Sequence, residues 1–226
     1  MTITYYPDVE QGSDAWHQMR CGRLTASEMC RIITAKTMKA ADNDNCRAHL
    51  YELLAQRITG YVEPQYVSDD MLRGCEDEID ACSLYAQHHA PVKPCGFITN
   101  SKWGFTIGYS PDALVGDDGL LEAKSRRQRF QVQTIADDAV PADFMIQLQT
   151  GLLVSERKWI DFVSYSGGLP MFVQRVEPIP EMQEAIIAAA AAFEARLAEK
   201  LMAYRATVTT RKLIPTERKI QEEMVI

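Results

Sequence analysis

The apolar positions of this chain switch between two periods. From residue 45 to 58, Leu50, Leu53, Leu54 and Ile58 recur at helical spacing, with Asn45 as cap and Gly60 as stop. Residues 13–20 read as a short helix capped by Ser13 or Asp14. Thr25 and Glu28 fit a capping box that opens a helix to about Ala35. Met38 to Asn45 is a polar loop. Ser68 starts a longer helix, to about His89. The period then shortens, and residues 96–100, 103–109 and 119–124 read as three strands. Helices are expected over 130–137 and 141–155, where Pro141 suits a first helical turn. Strands follow over 158–164 and 171–176. A long helix runs from Pro180 to about Ala203, its propensity assured by the alanines from Ala188 to Ala192. Helices, strands, a helix, then strands and a helix again indicate an α/β (α+β) protein, with a central mixed β-sheet flanked by helices.

One stretch carries chemistry. Asp112 follows Pro111 at the end of an apolar strand. Gly116-Asp117-Asp118-Gly119 is a hairpin turn, because Asp and Gly tolerate positive φ. On the returning strand, Glu122 and Lys124 share one face and Ala123 turns to the core. The hairpin brings Asp112 beside that face. Two carboxylates and an ammonium converging there suit a divalent metal and a phosphodiester. A surface hairpin of solvated charges is the alternative. Against it, Leu120 and Leu121 make the strand apolar, and Arg126, Arg127 and Arg129 follow as a phosphate-binding surface would need.

The 226 residues suit one compact domain over 1–205, with a basic C-terminal tail over 206–226 carrying Arg211, Lys212, Arg218 and Lys219. The tail reads as an arm or a subunit contact rather than a catalytic element. No apolar run reaches the roughly 20 residues of a membrane span, and the first ten residues lack a signal pattern, so a cytoplasmic protein is expected. The net charge of −7 argues against a nonspecific DNA coat, but not against a nuclease, whose metal site needs carboxylates. The six cysteines form no C-x-x-C and no zinc spacing, and read as reduced thiols.

The Pro111-Asp112…Glu122-Ala123-Lys124 pattern resembles the PD-(D/E)XK nuclease motif. Three further stretches occur in matching order: residues 16–27, Trp16 through Arg20 to Thr25-Ala26-Ser27; Arg73-Gly74-Cys75-Glu76-Asp77-Glu78; and Gln147-Leu148-Gln149. Together the chain resembles the lambda exonuclease family, the YqaJ-type viral recombinases within the RecB-type nucleases. Beyond about Arg205 it has no clear counterpart there, and Ala123-Lys124-Ser125 replaces the family's usual neighbours of the lysine.

The resemblance implies a restriction-endonuclease-like core and an Mg²⁺-dependent exonuclease that digests double-stranded DNA from 5′ ends. Mononucleotides are released and a 3′ single strand remains. Two Mg²⁺ ions per site are implied, with Mn²⁺ able to substitute. Asp112, Glu122, the Ala123 carbonyl and Glu78 are the expected metal ligands. Lys124 is expected to orient the attacking water, and Gln147 to hold the polar geometry; a core-edge amide is the other reading of Gln147. Gln149, two residues along a helix, is expected to point elsewhere. Arg20 and Ser27 are assigned to a 5′-phosphate pocket, with Ser27 in a helical first turn where free N–H groups favour an anion. Met71 is assigned to a wedge that parts the strands, with core packing as its alternative. The implied partners are DNA ends, a homotrimeric ring and a single-strand annealing protein, in a phage or prophage setting, with no membrane. An endonuclease on the same core and a catalytically silent DNA-end-binding module are the rival readings.

Overall fold

The computed structural model describes residues 3–64 and 68–218. Its first elements are β1 (Ile3–Tyr6), α1 (Asp14–Arg20) and β2 (Leu24–Thr25), then a 3₁₀ segment, Ala26–Arg31. β3 (Ile33–Thr34) and β4 (Lys39–Ala40) make a small ribbon before α2 (Asp44–Thr59) and α3 (Asp69–His88). β5 (Val92–Lys93), β6 (Phe97–Asn100), β7 (Ile107–Tyr109), β8 (Ala113–Val115) and β9 (Gly119–Ser125) follow. α4 (Gln128–Asp137), α5 (Ala142–Ser155), β10 (Trp159–Tyr165), β11 (Phe172–Val176) and α6 (Pro180–Thr210) complete the order.

The caps explain most boundaries. Ser13 and Ser68 each accept a hydrogen bond from the backbone N–H three residues on, holding the starts of α1 and α3. Asn43, not Asn45, caps α2 by accepting from Cys46 N, since its side chain reaches a free first-turn N–H. Gly60 ends α2 at φ 65°, where a side chain would be strained.

The sheet is mixed, and it is split. One part has the order β11-β10-β9-β8-β5, with β9 and β10 parallel; the other has the order β1-β6-β7-β2. Strand β7 leaves the second part and re-enters as β8 in the first, so residues 110–112 bridge the two. Helix α3 covers one face of β9, where Leu121 and Ala123 pack with Ala81, Tyr85 and Val163. The opposite face carries Leu120 into the larger core with Ile146, Leu148 and Phe162. Both faces of β9 are therefore covered, which accounts for its apolar run.

Several expected elements differ. Residues 25–28 form no capping box: Thr25 makes no side-chain cap bond, and its hydroxyl donates instead to Glu28 Oε2 at 2.8 Å. The expected helix is therefore a six-residue 3₁₀ segment, ended by the β3–β4 ribbon. The strand expected over 103–109 shrinks to Ile107–Tyr109. β2 and β5, of two residues each, are too short to leave a periodic signal, and β1 and β8 were not among the expected strands. Pro141 sits just before α5 rather than within it. The last helix runs on past Ala203 to Thr210. The tail is described only to residue 218, so Lys219 and the residues after it lie outside the described part.

Candidate active site

The Asp112–Lys124 hairpin forms as its pattern dictates. Gly116 supplies the positive φ, 53°, and β8 and β9 pair through Ala113↔Leu121. Glu122 sits in the middle of β9 with only 1 % exposure. Lys124 Nζ donates to its Oε1 at 2.6 Å, and Gln147 Nε2, arriving from α5, donates to the same oxygen. Tyr109 Oη donates to Oε2 at 2.7 Å. Asp112 Oδ2 accepts from the Ala123 backbone N–H at 2.5 Å. Glu78, from α3, lies near enough to Asp112 for its charge and hydrogen bonding to raise that carboxyl.

Burial dominates the electrostatics. It pushes the Glu122 carboxyl from 4.5 up to about 7, against the pull of Lys124. Burial raises Asp112 well above its ordinary value; Lys124 opposes this, while Glu78 adds to it. Burial also works against charge on Lys124, but Glu122 and Asp112 outweigh it and hold the ammonium above its usual range. Cys82, on α3, is pushed up to about 12 by burial and by Asp112, Glu78 and Glu122. The site thus concentrates buried carboxylate oxygens with one ammonium to offset them. Hard oxygen donors that resist ionisation for want of positive charge fit a divalent cation such as Mg²⁺.

A cavity of about 200 Å³ is lined by Asp112, Glu122, Lys124 and Gln147 together with Arg20 and Ser27. Arg20 Nη2 donates to Thr25 Oγ1 and Ser27 Oγ, both at 3.2 Å. Its guanidinium lies over the Trp16 ring, 4.3 Å from the centroid. The Trp16 indole N–H in turn donates to Ser110 Oγ at 2.8 Å, two residues before Asp112. Because the 3₁₀ segment is short, Ser27 contributes its hydroxyl and the helix-terminus argument for it lapses.

Six expected residues therefore share one cavity. Glu78 reaches the site from α3, where it acts on Asp112, Lys124 and Cys82, and Ala123 meets the site through its backbone. Met71 is 50 % exposed, which removes core packing as its role. It lines a neighbouring cleft of about 560 Å³ that shares Trp16 and Arg20 with the site. Gln149 is buried but turned away, bonding Glu177 O and Ile179 N at 2.8 Å each.

Comparison with protein families gives a match to the YqaJ-like viral recombinase domain over residues 15–158, well over half of the chain. The chain belongs to the YqaJ-like viral recombinase family. Its PD-(D/E)XK-type nuclease core is shared with solved structures. An alkaline exonuclease from Laribacter hongkongensis, LHK-Exo, is 28% identical with a TM-score of 0.77, over 87% of this chain and 98% of that one. The same protein in complex with dAMP gives 29% identity and a TM-score of 0.73, with the same coverage. A phage-related exonuclease from Haemophilus somnus 129PT shares the fold at 15% identity and a TM-score of 0.57, over 81% and 96% of the two chains. A comparison with curated proteins gives no match.

Reading this YqaJ-type site from sequence missed Tyr109, Trp16, Ser110 and Cys82 as neighbours of the acids. Trp16 stands inside a motif stretch and Tyr109 and Ser110 immediately precede Pro111-Asp112, so position pointed at them; Cys82 carried no signal. A second group of ligand atoms, from Glu28, His49 and Glu52, lies within 4.8 Å of one another and is compatible with a divalent cation. Its carboxylates are already approached by Arg20 at 4.0 Å and Arg31 at 3.0 Å. Among the described residues, no helix is long and apolar enough to cross a membrane.

Proposed function

We infer that this protein is a DNA nuclease related to the alkaline exonucleases, and that it degrades double-stranded DNA from 5′ ends, releasing mononucleotides and leaving 3′ single strands. The observation that carries this reading is the shared cavity lined by Arg20 and Ser27 together with Asp112, Glu122 and Lys124. A 5′ phosphate seated on the guanidinium would put a nearby phosphodiester over the acids, which selects ends over interior bonds. Asp112, Glu122, the Ala123 carbonyl and Glu78 are the residues that would hold two Mg²⁺ ions, with Mn²⁺ as a substitute. Bound there, the metals supply Lewis-acid activation of the phosphodiester and of the attacking water.

The side chains have separable tasks. Lys124 orients the water and neutralises phosphate charge. Gln147 and Tyr109 fix Glu122 through its two oxygens, so its rotamer is set before substrate arrives. Met71 takes the task of parting the last base pairs, a reading supported by its exposure on the adjoining cleft. Residues 1–205 are assigned to the nuclease domain and 206–226 to an appended tail. A ring of three copies and a single-strand annealing partner complete the reading, in a cytoplasmic, phage-type recombination setting.

The deciding experiment gives the protein end-labelled linear duplex and closed circular duplex, with Mg²⁺. Mononucleotides from the linear form and an intact circle are expected. Nicking of the circle favours an endonuclease, and no metal-dependent product favours an end-binding module. A duplex with 5′-hydroxyl ends is expected to be degraded at least tenfold more slowly than one with 5′ phosphates, by the order of magnitude of a charge-assisted contact. Arg20→Ala should narrow that difference; equal rates on both ends would remove the phosphate pocket.

A further inference from the structure

The C-terminal segment has a place in the fold that the site does not explain. Helix α6 is buried as far as Leu197, and everything from residue 202 to 218 is exposed. Glu194 of α6 grips Arg57 near the end of α2, with paired hydrogen bonds of 2.6 and 2.7 Å. Beyond Leu201 the helix projects away by about 14 Å, at about 1.5 Å per residue. Residues 211–218, non-helical, have a reach of about 26 Å at about 3.3 Å per residue. They use it to come back. The Arg218 guanidinium lies over the Tyr61 ring, 3.6 Å from its centroid, four residues beyond Arg57. The segment is thus an out-and-back arm whose end is tied to the body by a cation–π contact.

Tyr61 is on the wall of the 560 Å³ cleft that shares Trp16 and Arg20 with the candidate active site. That wall also carries Asp14 and Glu63, and the chain as a whole has net charge −7. A DNA strand entering the cleft therefore meets negative charge. The arm has the opposite composition: Arg205, Arg211, Lys212 and Arg218 against one acid, Glu217. All four residues are exposed, so their charges can meet a polyanion.

We propose that residues 202–218 are a cationic arm that holds the DNA backbone beside the cleft, anchored to it through Arg218 and Tyr61. This rests on the DNA-nuclease reading of the neighbouring site. The arm supplies phosphate contacts that the acidic rim does not. Its contacts are with the sugar-phosphate backbone, so they favour no base sequence.

The test is binding of a fluorescent linear duplex, without added Mg²⁺, across a range of salt. The triple variant Arg211→Gln/Lys212→Gln/Arg218→Gln is compared with the unmodified protein. Each phosphate contact contributes about 0.9 to the slope of log affinity against log salt, so losing three should flatten it by about 2.7. Over a fourfold rise in salt, that is an affinity loss smaller by roughly forty-fold. Tyr61→Ala should flatten the slope in the same direction, and Tyr61→Phe, which keeps the ring face, should retain the unmodified slope. An unchanged slope in the triple variant, or tighter binding by it, overturns the arm; a Tyr61→Ala protein with the unmodified slope overturns the anchor. Mg²⁺-dependent cleavage by the unmodified protein reads the other inference separately. Cleavage with no slope change sinks the arm alone. Slope change without cleavage sinks the nuclease reading alone.

Discussion

Glu122 shows how much one side chain's surroundings decide. It is nearly inaccessible, yet three donors meet its two oxygens: Lys124, Gln147 and Tyr109. Glu122→Ala or Asp112→Ala is expected to lower Mg²⁺-dependent cleavage by at least about a thousandfold, and Lys124→Ala by about a hundredfold or more, as loss of metal-ligand or water-positioning groups does. Single-turnover rates on a 5′-phosphorylated duplex would measure this; a Glu122→Ala protein within tenfold of the original would remove Glu122 from the site. The same burial makes a pH prediction for the metal-free protein. Burial raises the Glu122 carboxyl from 4.5 to about 7 on folding. The folded state therefore binds the extra proton within that window. The stability that proton brings is complete below about pH 4.5 and is lost as pH rises through about 7. With chelator present, the thermal midpoint should fall across this window, and Glu122→Gln should reduce the fall. Mg²⁺ added at pH 7.5 should raise the midpoint, because it binds the ionised form. Parallel curves for both proteins would show that Glu122 does not govern the slope.

At the level of elements, helix α5 and strand β7 set the site's width. Gly151 of α5 lies where a Cβ would come 2.8 Å from the Tyr109 ring. A mid-helix Gly→Ala change normally stabilises by roughly 1 kcal/mol. Here the added methyl must push Tyr109 or the helix aside, so Gly151→Ala is expected to destabilise by about 1–3 kcal/mol. It should also slow cleavage, because Tyr109 and Gln147 hold Glu122 from β7 and α5. Denaturant midpoints alongside turnover would check both effects. A Gly151→Ala protein more stable than the original and fully active would mean that the contact relaxes without cost.

For the whole molecule, the issue is how a chain of net charge −7 stays on a polyanion through repeated cleavage. Salt weakens phosphate contacts steeply, because binding releases counterions. A ring that encircles the duplex keeps hold by topology, and closed cyclic assemblies are a common way to make one. Three copies are expected, so light scattering should give about three times the mass of the 25.5 kDa chain. Digestion of a long duplex should continue after competitor DNA is added. A stable monomer that remains processive under that challenge would exclude the ring as the source.

Local chemistry was legible in the sequence. Turn residues and the two-residue alternation of a strand put Asp112, Glu122 and Lys124 together without knowledge of the rest, since β8 and β9 are joined by one tight turn. Helical periodicity fixed α2, while Ser68 marked the start of α3 and Pro141 that of α5. The family resemblance also reached Arg20 and Ser27, alongside a helix start that does not form. What the sequence withheld depends on contacts between distant segments. The Thr25 hydroxyl donates to Glu28 and accepts from Arg20 instead of capping a first-turn N–H. The split of the sheet at residues 110–112 and the two-residue strands have no period to read. The approach of Glu78 to Asp112, the Tyr109 bond to a buried carboxylate and the return of Arg218 to Tyr61 join residues that no local pattern relates. Spacing along the chain determines which groups share a strand face, whereas burial and the approach of separate elements decide which of them ionise and what they touch.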